Sequence, residues 1–134
     1  MSLSSAYVRT SLLAILFMTL HMADDVIRGE NAQGGWAAIV VVLILVVWLY
    51  SLVRLTEKRA GYIIGLVVSV VVSIPPILHL TGIGDATLGQ ILAASGPFFV
   101  WVVAALGVTA ISSLIFAAYL LFFPTKEKRP ARRR

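Results

Sequence analysis

One apolar stretch decides the fold class of this chain: residues 36–53 read WAAIVVVLILVVWLYSLV. The stretch contains no charged residue, and its length approaches the ~20 apolar residues that a helix needs to cross the ~30 Å hydrocarbon core of a bilayer. A small soluble core cannot enclose so continuous an apolar run. The stretch therefore predicts a transmembrane helix.

Three further apolar segments follow the same pattern, so the sequence predicts an all-α integral membrane protein with four spans. The spans cover about residues 7–23, 36–53, 60–80 and 98–123. Hydrophobic residues make up 60% of the 134 residues and charged residues 13%, which is typical of a membrane protein. We expect residues 1–123 to form a single four-helix bundle of two hairpins, followed by a basic tail at residues 124–134.

The basic residues predict the orientation, because lysine and arginine in short loops resist transfer across the membrane. Ten of the eleven lie at the N-terminus, in the second loop or in the tail, namely Arg9, Arg54, Lys58, Arg59, Lys126, Lys128, Arg129, Arg132, Arg133 and Arg134. This distribution places both termini on the cytoplasmic side of what we expect to be a bacterial cytoplasmic membrane. We expect the tail to contact anionic lipid headgroups and not nucleic acid.

Small residues recur every four positions on the third and fourth spans, and such residues let helices in lipid approach closely. The two ridges are Gly61, Gly65, Ser69 and Ser73 on the third span and Ala105, Thr109, Ser113 and Ala117 on the fourth. We expect the ridges to face each other, either within one chain or between chains of a homo-oligomer or larger membrane complex. The short connection between these spans favours contact within one chain.

Proline and glycine predict two interruptions of the helices. Pro75 and Pro76 remove backbone donors from the third span, which predicts a kink near its outer end. The carbonyl groups freed by such prolines can also line a ligand cavity, so a simple kink and a functional cavity both remain open. We further expect a short interfacial helix at residues 86–94, separated from the last span by Gly96 and Pro97.

Histidine and aspartate side chains form the candidate functional site. His21 ends the first span and His79 ends the third, so the predicted topology places both at the outer membrane face. Asp24 and Asp25 follow His21 by about one helical turn. Imidazole nitrogens and carboxylate oxygens are suitable ligands for a divalent metal ion. These four residues are therefore the candidate metal site, with Asp85 of the third loop as a further candidate ligand.

Three other interpretations of the same residues remain open. The groups can relay protons, because histidine titrates near neutral pH. The two histidines can ligate haem between facing spans, although a divalent metal is the preferred cofactor. In the simplest case, the polar groups are merely hydrated at the ends of the spans, with an aspartate paired to Arg28.

No catalytic signature accompanies these residues. The chain has no cysteine, which excludes disulfides and thiolate sites. It also lacks a phosphate-binding glycine loop, a nucleophile elbow and a zinc-protease motif, so an enzyme is not indicated, although it is not excluded. We expect a non-catalytic membrane module or complex-forming subunit that packs through its small-residue faces. The alternative is a binding protein or transporter-like component with an outer site for a metal or small polar ligand.

Overall fold

A computed structural model describes residues 2–28, 35–81 and 88–123, which form four α-helices. The helices are α1 (Leu3–Arg28), α2 (Gly35–Arg54), α3 (Arg59–Thr81) and α4 (Leu88–Phe122). Each contains a segment long and apolar enough to cross a membrane, which confirms the all-helical class and the prediction of four helices able to span. The orientation stays a prediction, and Asp85 and the basic tail lie outside the described residues.

Helix α4 occupies the centre of the described structure, because it packs along both α1 and α3, while α2 has fewer contacts and makes most of them with α3. Seven buried positions of α4 follow one another in alternating steps of four and three, namely Phe99, Val103, Leu106, Ala110, Ser113, Ala117 and Leu120. The same steps recur on α1 at Tyr7, Ser11, Ala14, Met18 and His21. This spacing keeps one stripe turned towards a neighbour that crosses at a shallow angle.

The alternating steps explain why the predicted ridge of α4 is only partly buried. A step of four residues turns more than one full turn, so a strict interval of four drifts by about 40° at each step. Ser113 and Ala117 are fully buried, whereas Ala105 and Thr109 are only half-buried. The positions that complete the contact are Leu106 and Ala110, which the interval of four does not include.

Three serine hydroxyls join α1, α3 and α4 inside the core. The Oγ atoms of Ser11 and Ser113 lie 2.6 Å apart, and Ser69 donates a hydrogen bond of 3.1 Å to Ser113. One turn further along α3, Ser73 donates to the backbone carbonyl of Ser69 at 2.7 Å. All four side chains are buried. Each therefore has the hydrogen-bond partner that a polar group needs inside a membrane.

Two glycines allow close contacts at the beginning of α3. A Cβ atom on Gly65 would overlap the Tyr7 hydroxyl of α1, and one on Gly61 would overlap the backbone oxygen of Leu55. Tyr7 also donates a long hydrogen bond of 3.5 Å to the Gly61 carbonyl and packs edge-on against Tyr62, with ring centroids 5.5 Å apart. This half of the predicted ridge thus faces α1 and the α2–α3 turn, while Ser69 faces α4.

The two predicted interruptions differ in the structure. Helix α3 continues as one helix through both prolines. The ring of Pro76 packs on Gly107 of α4, where an added Cβ would lie 3.3 Å from the proline Cβ. Helix α4 instead breaks at Gly96, whose φ of 74° and ψ of 177° are readily adopted only by glycine. The break lies where the sequence predicts the short helix to separate from the last span.

Replacing Gly65 with alanine is expected to destabilise the protein by about 1–3 kcal/mol, the usual penalty for overpacking a core. Tyr7 has little room to move away, because it is almost completely buried and lies against Tyr62. Adding Tyr7→Phe, which removes the hydroxyl oxygen, should recover part of the loss. The measurement is the unfolding midpoint of the full chain in one detergent. Gly89→Ala is the control, because its Cβ meets nothing within 4 Å, and an equal loss there would contradict the proposed contact.

Candidate functional site

The structure brings together the two histidines predicted to form a site. His21 of α1 and His79 of α3 have ring centroids 5.3 Å apart and perpendicular ring planes, in an edge-to-face contact. Phe99 of α4 lies against His21 with a centroid distance of 5.2 Å. His21 reaches this position because it continues the buried stripe of α1, and Phe99 begins that of α4. We call these three residues, together with Asp24 and Asp25, the His cluster.

His21 is enclosed by the protein, with 3% of its surface exposed. Its Nδ1 atom lies 3.7 Å from Oδ1 of Asp25, one helical turn further along α1. This distance is too long for a direct hydrogen bond, but it lies within ion-pairing range when the imidazole is protonated. Asp24 is half-buried beside this pair. The described part of the cluster thus combines two imidazoles with two carboxylates at one end of an apolar core.

Polar atoms of two other groups at this end are buried without a hydrogen bond from the described residues. They are Nδ1 of His79 and Oγ of Ser95, the residue before the break in α4. A polar atom removed from water without a partner is unfavourable, and such atoms in native structures often mark the place of a water molecule, an ion or a ligand. These two atoms therefore mark this end of the protein as a place where a water molecule, an ion or a ligand finds hydrogen-bond partners.

The described geometry is not that of a complete metal site. Within residues 2–28, 35–81 and 88–123, no group of three or more His, Cys, Asp or Glu side chains is placed to hold a metal ion. The His21–His79 pair supplies two imidazoles, whereas zinc sites in proteins use three or four protein ligands. Zinc requires each donor nitrogen at ~2.0–2.1 Å. Metal binding here therefore requires ligands besides His21 and His79, and the predicted site stays a prediction.

The haem alternative requires a rearrangement of the helices. A haem iron with two axial histidines lies between their rings, and the porphyrin plane separates them. In the structure the two rings are in direct contact, and Phe99 covers His21 from α4. Haem ligation therefore requires α1 and α3 to separate at this end.

An apolar groove of about 510 Å³ lies beside the two prolines of α3. Pro76, Ile77 and Leu80 line one side, and residues of α4 including Gly107 and Ile111 line the other. The hydroxyl groups at its edge bond to their own helices, since Thr81 donates to the Ile77 carbonyl and Ser112 to the Val108 carbonyl. The cavity predicted near the prolines is thus suited to hydrocarbon and not to a polar ligand.

Sequence reasoning found the histidines and aspartates but missed Phe99 and Ser95. The signal for Phe99 lies in the alternating steps of α4, which place it on the same stripe as Leu106 and Ser113. Comparison with protein-family models, with curated proteins and with solved structures finds no match to this chain. The imidazoles and carboxylates of the His cluster have the chemistry to bind a proton, a cation or a small polar ligand.

Proposed function

We propose that this chain is a non-catalytic module of a bacterial cytoplasmic membrane that serves as a subunit of a homo-oligomer or larger complex. The observation that carries the proposal is the filled core of α1, α3 and α4, in which Leu106, Ala110 and Ser113 are completely buried. A core packed with side chains is rigid. This favours a scaffold over a channel or transporter.

The small-residue faces are occupied within the chain, which changes where a partner is expected to bind. Gly65 accommodates Tyr7, and Ser69 and Ser113 bond to each other. Helix α2 makes fewer contacts with the rest of the chain than α1, α3 and α4 make with one another. Its outer face is a row of exposed apolar side chains, including Leu43 and Val46. We infer that assembly uses this face of α2.

The assembly proposal predicts a complex larger than one 14.5 kDa chain when the protein is released from its membrane in a mild detergent. Val46→Trp on α2 should reduce the proportion of that complex, because the larger ring separates the packed surfaces. Ile115→Trp on α4 is the matched control, since Val46 and Ile115 are 56% and 58% exposed. Native mass spectrometry measures the masses. A monomeric wild-type chain, or equal effects of both substitutions, would contradict assembly through α2.

The proposed orientation places both termini and the α2–α3 turn in the cytoplasm, supported by ten of the eleven basic residues. The chain has no native cysteine, so a single introduced thiol can report the side of the membrane. In intact cells, a membrane-impermeant maleimide should label Asn31→Cys but not Thr56→Cys. After permeabilisation it should label both variants. Labelling of Thr56→Cys in intact cells would reverse the orientation.

A second candidate function is binding of a divalent metal or small polar ligand by the His cluster at the outer leaflet. The convergence of His21 and His79 from two separate hairpins favours it, as does the buried Nδ1 of His79. The same convergence is the only support for the minor haem alternative, under which the purified protein would be coloured.

Zinc titration followed by calorimetry tests this second function. The wild-type chain should bind about one ion, and the His21→Phe, His79→Ala double variant should bind none. Phenylalanine keeps a ring in the enclosed position of His21, so the helices should remain packed, which an unchanged circular dichroism spectrum would verify. Absence of zinc uptake by the wild-type chain, or equal uptake by the double variant, would remove the His cluster as a metal site.

A further inference from the structure

A second cavity lies at the opposite end of the molecule from the His cluster. It has a volume of about 410 Å³ and opens where the α2–α3 turn meets the end of α4. Glu57, Arg59 and Tyr62 form its polar side, and Leu120, Leu121 and Phe122 form its apolar side. A cavity with one charged wall and one hydrocarbon wall, at the place where a membrane-spanning helix ends, matches a ligand that is itself amphipathic.

The charge of this end favours an anionic ligand. Arg54, Lys58 and Arg59 are exposed on or beside the turn, and Glu57 is the only acidic residue among them. Within the described residues, Arg59 has no ion pair and no side-chain hydrogen bond. Its guanidinium group carries five donors in a planar fork that matches two oxygens of a phosphate group. The wall of the cavity therefore holds a phosphate-binding group that no described protein carboxylate occupies.

The backbone of the polar wall is held in one conformation before any ligand arrives. Backbone hydrogen bonds of 2.9–3.0 Å run from Leu55 to Ser51, from Lys58 to Leu55 and from Gly61 to Lys58. Gly61 lies so close to Leu55 that no side chain fits between them. Glu57 adopts a left-handed backbone with φ of 69°, a conformation that is unfavourable for a residue other than glycine and that recurs at functional sites. Preorganisation of this kind lowers the entropy lost on binding.

The apolar wall continues the membrane-facing surface of the protein. Leu120 is buried in the core, whereas Phe122 is exposed, so the wall runs from the helix contact outwards to the lipid. Tyr62 also lines the cavity, and its ring packs edge-on against Tyr7. An acyl chain can therefore lie along the end of α4 while its headgroup lies beside Arg59.

We propose that this cavity is a binding site for an anionic glycerophospholipid, with Arg59 on the phosphate group and the end of α4 against the first part of an acyl chain. The residues that form the site are not those of the basic tail. The assignment to the cytoplasmic leaflet rests on the proposed orientation, but binding of the lipid does not. If the chain has the opposite orientation, the site therefore lies in the other leaflet and still binds the lipid.

The test compares phosphatidylglycerol with phosphatidylcholine of identical acyl chains, added to the full chain in a neutral detergent and measured by native mass spectrometry. The wild-type chain should retain phosphatidylglycerol several-fold better than phosphatidylcholine. Arg59→Gln should weaken phosphatidylglycerol binding about tenfold, because it removes a charge-assisted contact that has two hydrogen bonds. Arg59→Lys, which keeps the charge but loses the fork, should give an intermediate value.

Lys58→Gln is the matched control, because it removes the same charge from the adjacent residue, which does not line the cavity. It should change phosphatidylglycerol binding by no more than about twofold. An equal effect of the Arg59 and Lys58 substitutions, or equal retention of the two lipids, would overturn the proposal in favour of diffuse attraction to the membrane. Displacement of phosphatidylglycerol by millimolar inorganic phosphate would assign the cavity to free phosphate and would equally overturn the lipid.

Discussion

The contact of Ser11, Ser69 and Ser113 is the interaction on which the packing of α1, α3 and α4 depends. Membrane helices gain little from burying apolar surface against each other, because lipid tails are as apolar as their side chains. The interactions that hold membrane helices together are therefore mainly close packing and hydrogen bonding. A single hydrogen bond between membrane helices contributes only about 0.6 kcal/mol on average, so the importance of the serines is largely geometric. Oxygen atoms 2.6 Å and 3.1 Å apart require all three helices to approach closely, and a side chain larger than serine would hold them apart.

Because the serines fix the register of the helices, helical spacing determines which residues lie at each end of the core. On α1, Tyr7 precedes Ser11 by one step of four, and His21 follows through Ala14 and Met18 on the same buried stripe. Tyr7 therefore meets Gly65, which has room for its hydroxyl, and His21 meets His79. The His cluster does not require additional contacts between the two hairpins, because the buried stripe of α1 that packs the core also places His21 against α3.

Much of this architecture can be predicted from the sequence, and the exceptions share a physical cause. The four spans, the break at Gly96 and the two histidines as a potential pair all follow from residue types with strong local effects. Three features cannot be predicted in this way, namely the buried stripe of α1, the register of α4 and the contact of Pro76 with Gly107. In a soluble protein the buried face of a helix differs in polarity from the exposed face. Here both faces are apolar, so hydropathy cannot separate them and does not predict that α4 packs against both α1 and α3.

The two ends of the molecule differ in how a ligand would reach them. Arg59 lies exposed on a rigid turn, so an anionic headgroup can approach without any change in the helices. His21 is covered by Phe99, which follows the break at Gly96 by less than one helical turn. The left-handed backbone of Gly96 redirects the chain, and Pro97 then starts a helix whose first turn carries Phe99 onto the imidazole. The enclosure of His21 thus depends on the glycine break, and any ligand of the His cluster has to compete with the contact between His21 and Phe99.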